Sequence, residues 1–120
     1  MFRKTVFIGG QKTMLKKKVS IYVPSTMPDK PAPENVVNYY INDTLKKLSV
    51  MFGGATSTSA IGSWYSEELN KLITEKITIC YSFCDEYDQE KVVAICDNLK
   101  TVFEQESISL ELSDQGLMFV

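Results

Sequence analysis

The stretch that most constrains this chain runs from Met51 to Lys76, MFGGATSTSAIGSWYSEELNKLITEK. It opens with Gly53-Gly54 at the end of a segment with helical spacing, which is where a left-handed cap stops a helix. Ala55 to Tyr65 then reads as a strand of small residues, Ser66 to Asn70 as a turn, and Leu72 to Phe83 as a second strand. A helix that runs straight into a long hairpin leaves few folds open. The same stretch carries the only tryptophan, Trp64, and an oddly placed carboxylate, Glu75.

Before the stretch, Val19, Ile21 and Val23 alternate with Ser20 and Tyr22, the period-two pattern of a strand with one face on a core. Pro24 to Pro33 holds all four prolines and no apolar stripe, and is expected to be an extended surface loop. Glu34 opens a helix whose Val37, Ile41, Thr44 or Leu45, Leu48 and Met51 or Phe52 recur at helical spacing. After the stretch, Asp88-Gln89-Glu90 starts a second helix with Val92, Ile95, Cys96, Leu99, Val102 and Phe103 as its stripe. Ile108, Leu110 and Leu112 form a further strand, Ser113 to Gly116 a turn and Leu117 to Val120 a last short strand. This order predicts an α+β, ferredoxin-like plait (βαββαβ): an antiparallel sheet, two helices on one face and a C-terminal β-hairpin. Residues 1–17 are expected to be a basic leader, disordered or adding a short strand at Thr5 to Ile8, and residues 18–120 a single domain.

In Leu72 to Phe83, Ile73, Glu75, Ile77, Ile79, Tyr81 and Phe83 share one phase and are expected to face the helices. Glu75 then sits in an apolar register, where an ionised carboxylate is costly unless paired or hydrogen-bonded. Thr56, Thr58, Thr74, Thr78 and Ser82 are expected on the face away from the helices.

Charge narrows the function. Arg3, Lys4, Lys12, Lys16, Lys17 and Lys18 supply six of the 13 basic residues before any acid, so that from Val19 onward seven basic residues meet 15 acidic ones, a net of −8. Such a domain is a poor partner for nucleic acid, which needs a basic surface. No apolar run approaches the roughly 18 residues of a membrane span. Cys80, Cys84 and Cys96 form no C-x-x-C pair and there is no histidine, so the sequence offers no metal set and reads as a cytoplasmic protein with reduced thiols. No cofactor motif is present. Gly53-Gly54 closes a helix instead of opening one and has no lysine after it, which argues against a phosphate loop.

KKVSIYVPST, FGGATSTSAIGSW, KLITEKITICYSF and FEQESISLEL resemble segments of an uncharacterised domain-of-unknown-function family of small proteins from Gram-positive bacteria and their phages. FGGAT, G-x-W, the Lys-Glu segment and Q-E-(S/A)-(V/I) carry the resemblance, which spans about Lys17 to Val120. It implies a plait and a mobile-element origin, and brings no catalytic residues with it. Thr74 stands where the wider family has an arginine.

Glu75, Trp64, Gln105 and Glu106 are the candidate ligand- or partner-binding residues, with Thr56 and Thr58 beside them on the sheet. A carboxylate near an indole and an amide can bind a polar small molecule or move a proton. With no histidine and no nucleophile–base spacing, the leading expectation is a non-enzymatic, phage-encoded module that binds a host protein and blocks a defence. The alternatives are a sequestering protein for a small signalling nucleotide or metabolite, and a small acid/base enzyme using Glu75. A Thr- and Ser-rich edge and an open sheet face further predict a homo-oligomer.

Overall fold

The computed structural model describes residues 15–114 and Val120, and the backbone of 7–8, 11–12 and 116–119. Seven elements build the domain: β1 (Lys17–Pro24), α1 (Glu34–Phe52), β2 (Thr56–Ser66), β3 (Lys71–Cys84), α2 (Gln89–Val102), β4 (Ser109–Leu112) and β5 (Gly116–Phe119). The five strands form one sheet in the order β2-β3-β1-β4-β5, every neighbouring pair antiparallel. Two interleaved strand–helix–strand crossovers, β1-α1-β2 and β3-α2-β4, generate the central order, which is that of the ferredoxin-like plait. β4 and β5 add the C-terminal hairpin. Most of the leader lies outside the described residues; of it, Phe7–Ile8 pairs with Gln11–Lys12.

The core lies on one face of the sheet. Val19, Ile21 and Val23 of β1 are at most 1% exposed, and register sets Ser82 and Leu112 beside Val19, and Cys80 and Leu110 beside Ile21. Against them pack Thr44 and Leu48 of α1 and Val92, Cys96 and Leu99 of α2, all buried, together with Phe103 just past α2. The Tyr40 ring meets the Phe103 ring edge-on at 5.9 Å, tying α1 to the far end of α2. Gly53 caps α1 in the left-handed conformation (φ 91°), its N–H bonded to Ser49, and the Asp88 side chain caps α2 by accepting from the Glu90 N–H.

One expectation is corrected here. On β3 the residues under the helices are Cys80, Ser82 and Cys84, all buried, and the Ser82 hydroxyl donates to the Gly54 carbonyl at 2.7 Å. Ile73, Glu75, Ile77, Ile79, Tyr81 and Phe83 therefore face the open side, and Thr74, Thr78 and Ser82 face the helix side. The reason is packing volume: small Cys and Ser side chains let the end of α1 approach the strand, whereas Tyr81 and Phe83 need the space outside. Lys18 lies over the Tyr81 ring, 4.4 Å from its centre, and screens it from water. Thr56 and Thr58, opposite Tyr81 and Ile79, do share that open face.

The hairpin outruns the rest of the sheet. β1 pairs with residues 77–84 of β3, whereas β2 pairs with residues 71–81, so that residues 61–66 and 71–76 project as a two-stranded arm beyond Pro24. Glu75 lies at the root of this arm.

Candidate functional site

The site is built where the chain leaving β1 meets the arm. After Pro24 the chain is not a loose loop: Thr26–Met27 pairs with Lys30–Pro31 across a tight turn at Pro28-Asp29, with Asp29 at φ 63°, and the Ala32 N–H returns to the Ser25 carbonyl at 2.9 Å. Proline fixes φ for the first turn position and aspartate tolerates the left-handed second one. The Ser25 hydroxyl donates to the Lys76 carbonyl, extending the line of β1 along β3. Thr26 thereby comes beside Glu75, and its hydroxyl donates to the Glu75 carboxylate.

A second anchor comes from the end of α2. The Gln105 side-chain amide donates to the Thr26 carbonyl at 2.8 Å. Gln105 is aimed there by a six-residue closing motif: the Glu104 N–H bonds to the Thr101 carbonyl and the Gln105 N–H to the Lys100 carbonyl. That motif puts Glu104 at φ 52°, a position usually taken by glycine, and the strain of order 1 kcal/mol is borne where the chain must turn to deliver Gln105. Glu75, Thr26 and Gln105 form a continuous hydrogen-bonded line from three separate parts of the sequence.

Across the hairpin, Gly62 is the direct partner of Glu75, and Trp64 pairs with Ile73. Trp64 is thus a diagonal neighbour of Glu75 on the same face, roughly 7–8 Å away between side-chain roots, and 62% exposed. A side chain at Gly62 would meet only the Ile77 Cδ1, at 3.9 Å, on the side away from Trp64, so the sheet surface between Glu75 and Trp64 is open at Gly62 and bordered by Ile73. Glu75 is half-buried at one edge of this opening, drawn by Thr26 to the side of β3 away from β2.

The other sequence candidates fall elsewhere. Glu106 is exposed, one residue past the amide that reaches the site. Thr58 is exposed; the Thr56 hydroxyl is buried without a hydrogen-bond partner, beside Tyr81, about 20 Å along the strand from Glu75 at some 3.3 Å per residue. Gln105 reaches Glu75 through Thr26 and not directly. Thr26 and Gly62 were missed. A glycine inside a strand marks a close approach or an opening and was a usable signal for Gly62; nothing local in the proline-rich segment singles out Thr26. The cysteines offer no nucleophile: all are unpaired and buried, and burial pushes the Cys80 and Cys96 thiols up to about 12. No helix among the described residues is long and apolar enough to cross a membrane.

No protein-family model matches the chain, and no curated protein matches it. Two solved structures share its fold. A phage SAM lyase in complex with S-methyl-5′-thioadenosine aligns with a TM-score of 0.60 and 23% identity, over 87% of this chain and 88% of that one. A phage SAM lyase in its apo state aligns with a TM-score of 0.62 and 21% identity, over 87% of both chains. These neighbours correct the expectation of a non-enzymatic binder. That expectation rested on missing histidine and missing nucleophile–base spacing, and neither absence excludes an enzyme.

Proposed function

We propose that the chain is a small lyase acting on S-adenosylmethionine, with the Glu75 carboxylate as the charged group of its site. The observation that carries the reading is the Glu75–Thr26–Gln105 line: a half-buried carboxylate fixed by two other parts of the chain, beside an opening, in a plait shared nearly end to end with phage SAM lyases. A carboxylate that binds a substrate needs such support, because its position must be locked by the groups around it.

The chemistry suits so spare a site. S-methyl-5′-thioadenosine keeps the sulfur, its methyl group and the ribose, so forming it from S-adenosylmethionine breaks the bond between sulfur and the γ-carbon of the amino-acid arm. The bonding pair returns to sulfur, which changes from sulfonium to neutral thioether. The γ-carbon is closed by the substrate's own carboxylate, which forms a carbon–oxygen bond as the carbon–sulfur bond breaks, so no water, proton or co-reactant enters. Orientation of the flexible arm is then most of what the protein must supply. A carboxylate held against sulfur would stabilise the sulfonium more than the transition state, in which that charge is vanishing, and would slow the step. Glu75 is better used against the α-ammonium, whose charge persists throughout, leaving the substrate carboxylate free to reach the γ-carbon.

The other face of the arm supports a homo-oligomer. Ile61, Tyr65 and Leu72 lie there at 72%, 56% and 60% exposure, with Tyr65 directly opposite Leu72. A two-stranded ribbon is marginal alone in water, so an arm with this apolar face is expected to pack against a second copy. The three unpaired, buried thiols fit a reducing cytoplasm. The test of the main reading is to incubate the protein with S-adenosylmethionine and identify the products by mass spectrometry and NMR: S-methyl-5′-thioadenosine and a four-carbon lactone in equal amounts are expected, and unchanged substrate refutes it.

A further inference from the structure

We infer that the opening at Gly62, between Glu75 and Trp64 and bordered by Ile73, is the subsite for the nucleoside, with the Trp64 indole as the stacking partner of its flat base. This rests on the lyase reading above and adds what that reading leaves open: which end of the substrate lies on the arm. Three observations carry it. Trp64 is on the Glu75 face of the arm and 62% exposed, so its ring offers an aromatic surface to a ligand. Gly62 supplies no side chain between Trp64 and Glu75, and the nearest atom to the missing Cβ is apolar, the Ile77 Cδ1 at 3.9 Å. Thr26 draws the carboxylate away from Trp64, so the two groups at the ends of the opening differ in kind: an aromatic plane at one and a negative charge at the other.

That polarity matches the two ends of a sulfonium nucleoside. The purine is flat and uncharged and gains from stacking and from an apolar border, whereas the amino-acid arm carries the cationic ammonium. The reverse placement would set the uncharged purine against the Glu75 carboxylate and leave the ammonium only a cation–π contact with Trp64, a weaker partner than the carboxylate. The sulfur then lies on the Glu75 side of the base, with no side chain at Gly62 to meet its methyl substituent.

The single tryptophan makes the test direct. Titrating the wild-type protein with S-methyl-5′-thioadenosine, which has the base and no amino-acid arm, should change the tryptophan emission saturably. Free methionine, which has the arm and no base, should leave it unchanged. By calorimetry, Trp64→Leu and Gly62→Val should each weaken binding of S-methyl-5′-thioadenosine about tenfold or more, with Trp64→Phe recovering most of it. Thermal melts should stay near wild type, since position 62 has room for a Cβ. Wild-type affinity in both Trp64→Leu and Gly62→Val, with conversion of S-adenosylmethionine intact, overturns the subsite and leaves the lyase reading standing. Wild-type protein that neither binds the thioadenosine nor converts S-adenosylmethionine overturns both. An emission change that follows protein concentration and ignores ligand makes Trp64 a contact between copies and overturns the subsite.

Discussion

The Thr26 hydroxyl donates to the Glu75 carboxylate across 49 positions of sequence, and the Thr26 carbonyl in turn accepts from the Gln105 amide. Removing only the donor should therefore loosen Glu75 without emptying the site. Thr26→Val keeps the shape and should cost about 1 kcal/mol of stability, lower kcat/KM for S-adenosylmethionine roughly tenfold, and be rescued by Thr26→Ser. Equal activity in Thr26→Val and wild type would mean that the bond has no part in the reaction.

Glu104 is the strained residue that aims Gln105, at φ 52°. Glu104→Gly removes the left-handed penalty while keeping the closing hydrogen bonds, and should raise stability by about 0.5–1 kcal/mol in urea titrations with kcat/KM unchanged. A loss of stability would show that the Glu104 side chain, and not its backbone, matters here.

Much of the plait was legible in the sequence, and the reasons for the exceptions are local. Val19, Ile21 and Val23, or Ile108, Leu110 and Leu112, put apolar residues on one phase alone, so alternation decides their faces. Along β3 both phases carry residues that tolerate burial, and alternation cannot choose between Ile77, Ile79 and Tyr81 on one side and Cys80, Ser82 and Cys84 on the other. The choice comes from the end of α1, where Gly54 takes a hydrogen bond from Ser82. Glu75 and Gln105 stood out for their types and places, but what joins them did not: a threonine in a proline-rich segment has no periodic signature, and the aim of Gln105 depends on a backbone angle at a glutamate.

The apolar side of the arm gives a prediction about assembly. Light scattering should find more than one protomer per particle at micromolar concentrations, and Leu72→Lys, which sets a charge opposite Tyr65 on that face, should return the protein to monomers with its melting temperature little changed. A monomeric wild type would leave the exposed Ile61, Tyr65 and Leu72 without a role in assembly.

At the opposite end of the sheet, the Tyr87 hydroxyl donates to Asp114 at 2.7 Å, with Lys17 3.6 Å from the same carboxylate. The bond pushes the Tyr87 phenol up to about 12 from 10.0 and holds the Asp114 carboxyl below its ordinary value. Between pH 10 and 12 the folded chain therefore keeps a proton that the unfolded chain gives up. The tyrosine's contribution is fully present below pH 10 and is lost as pH rises to 12; that of Asp114 is present above its ordinary value of 3.8 and is lost as pH falls below it. Urea midpoints followed against pH should show Tyr87→Phe least destabilised, relative to wild type, at the two extremes. A difference independent of pH would mean that the bond is not what ties these segments together.

The central claim is tested most directly by the rate at which purified protein converts S-adenosylmethionine, measured for wild type and Glu75→Gln side by side. Wild type should release S-methyl-5′-thioadenosine at many times the uncatalysed rate. Glu75→Gln, which keeps an acceptor for the Thr26 hydroxyl but loses the charge, should stay folded within about 1 kcal/mol of wild type and lose at least about a hundredfold in kcat/KM, roughly 2.7 kcal/mol of transition-state stabilisation. Formation of S-methyl-5′-thioadenosine by neither protein, or by both equally, would contradict the account.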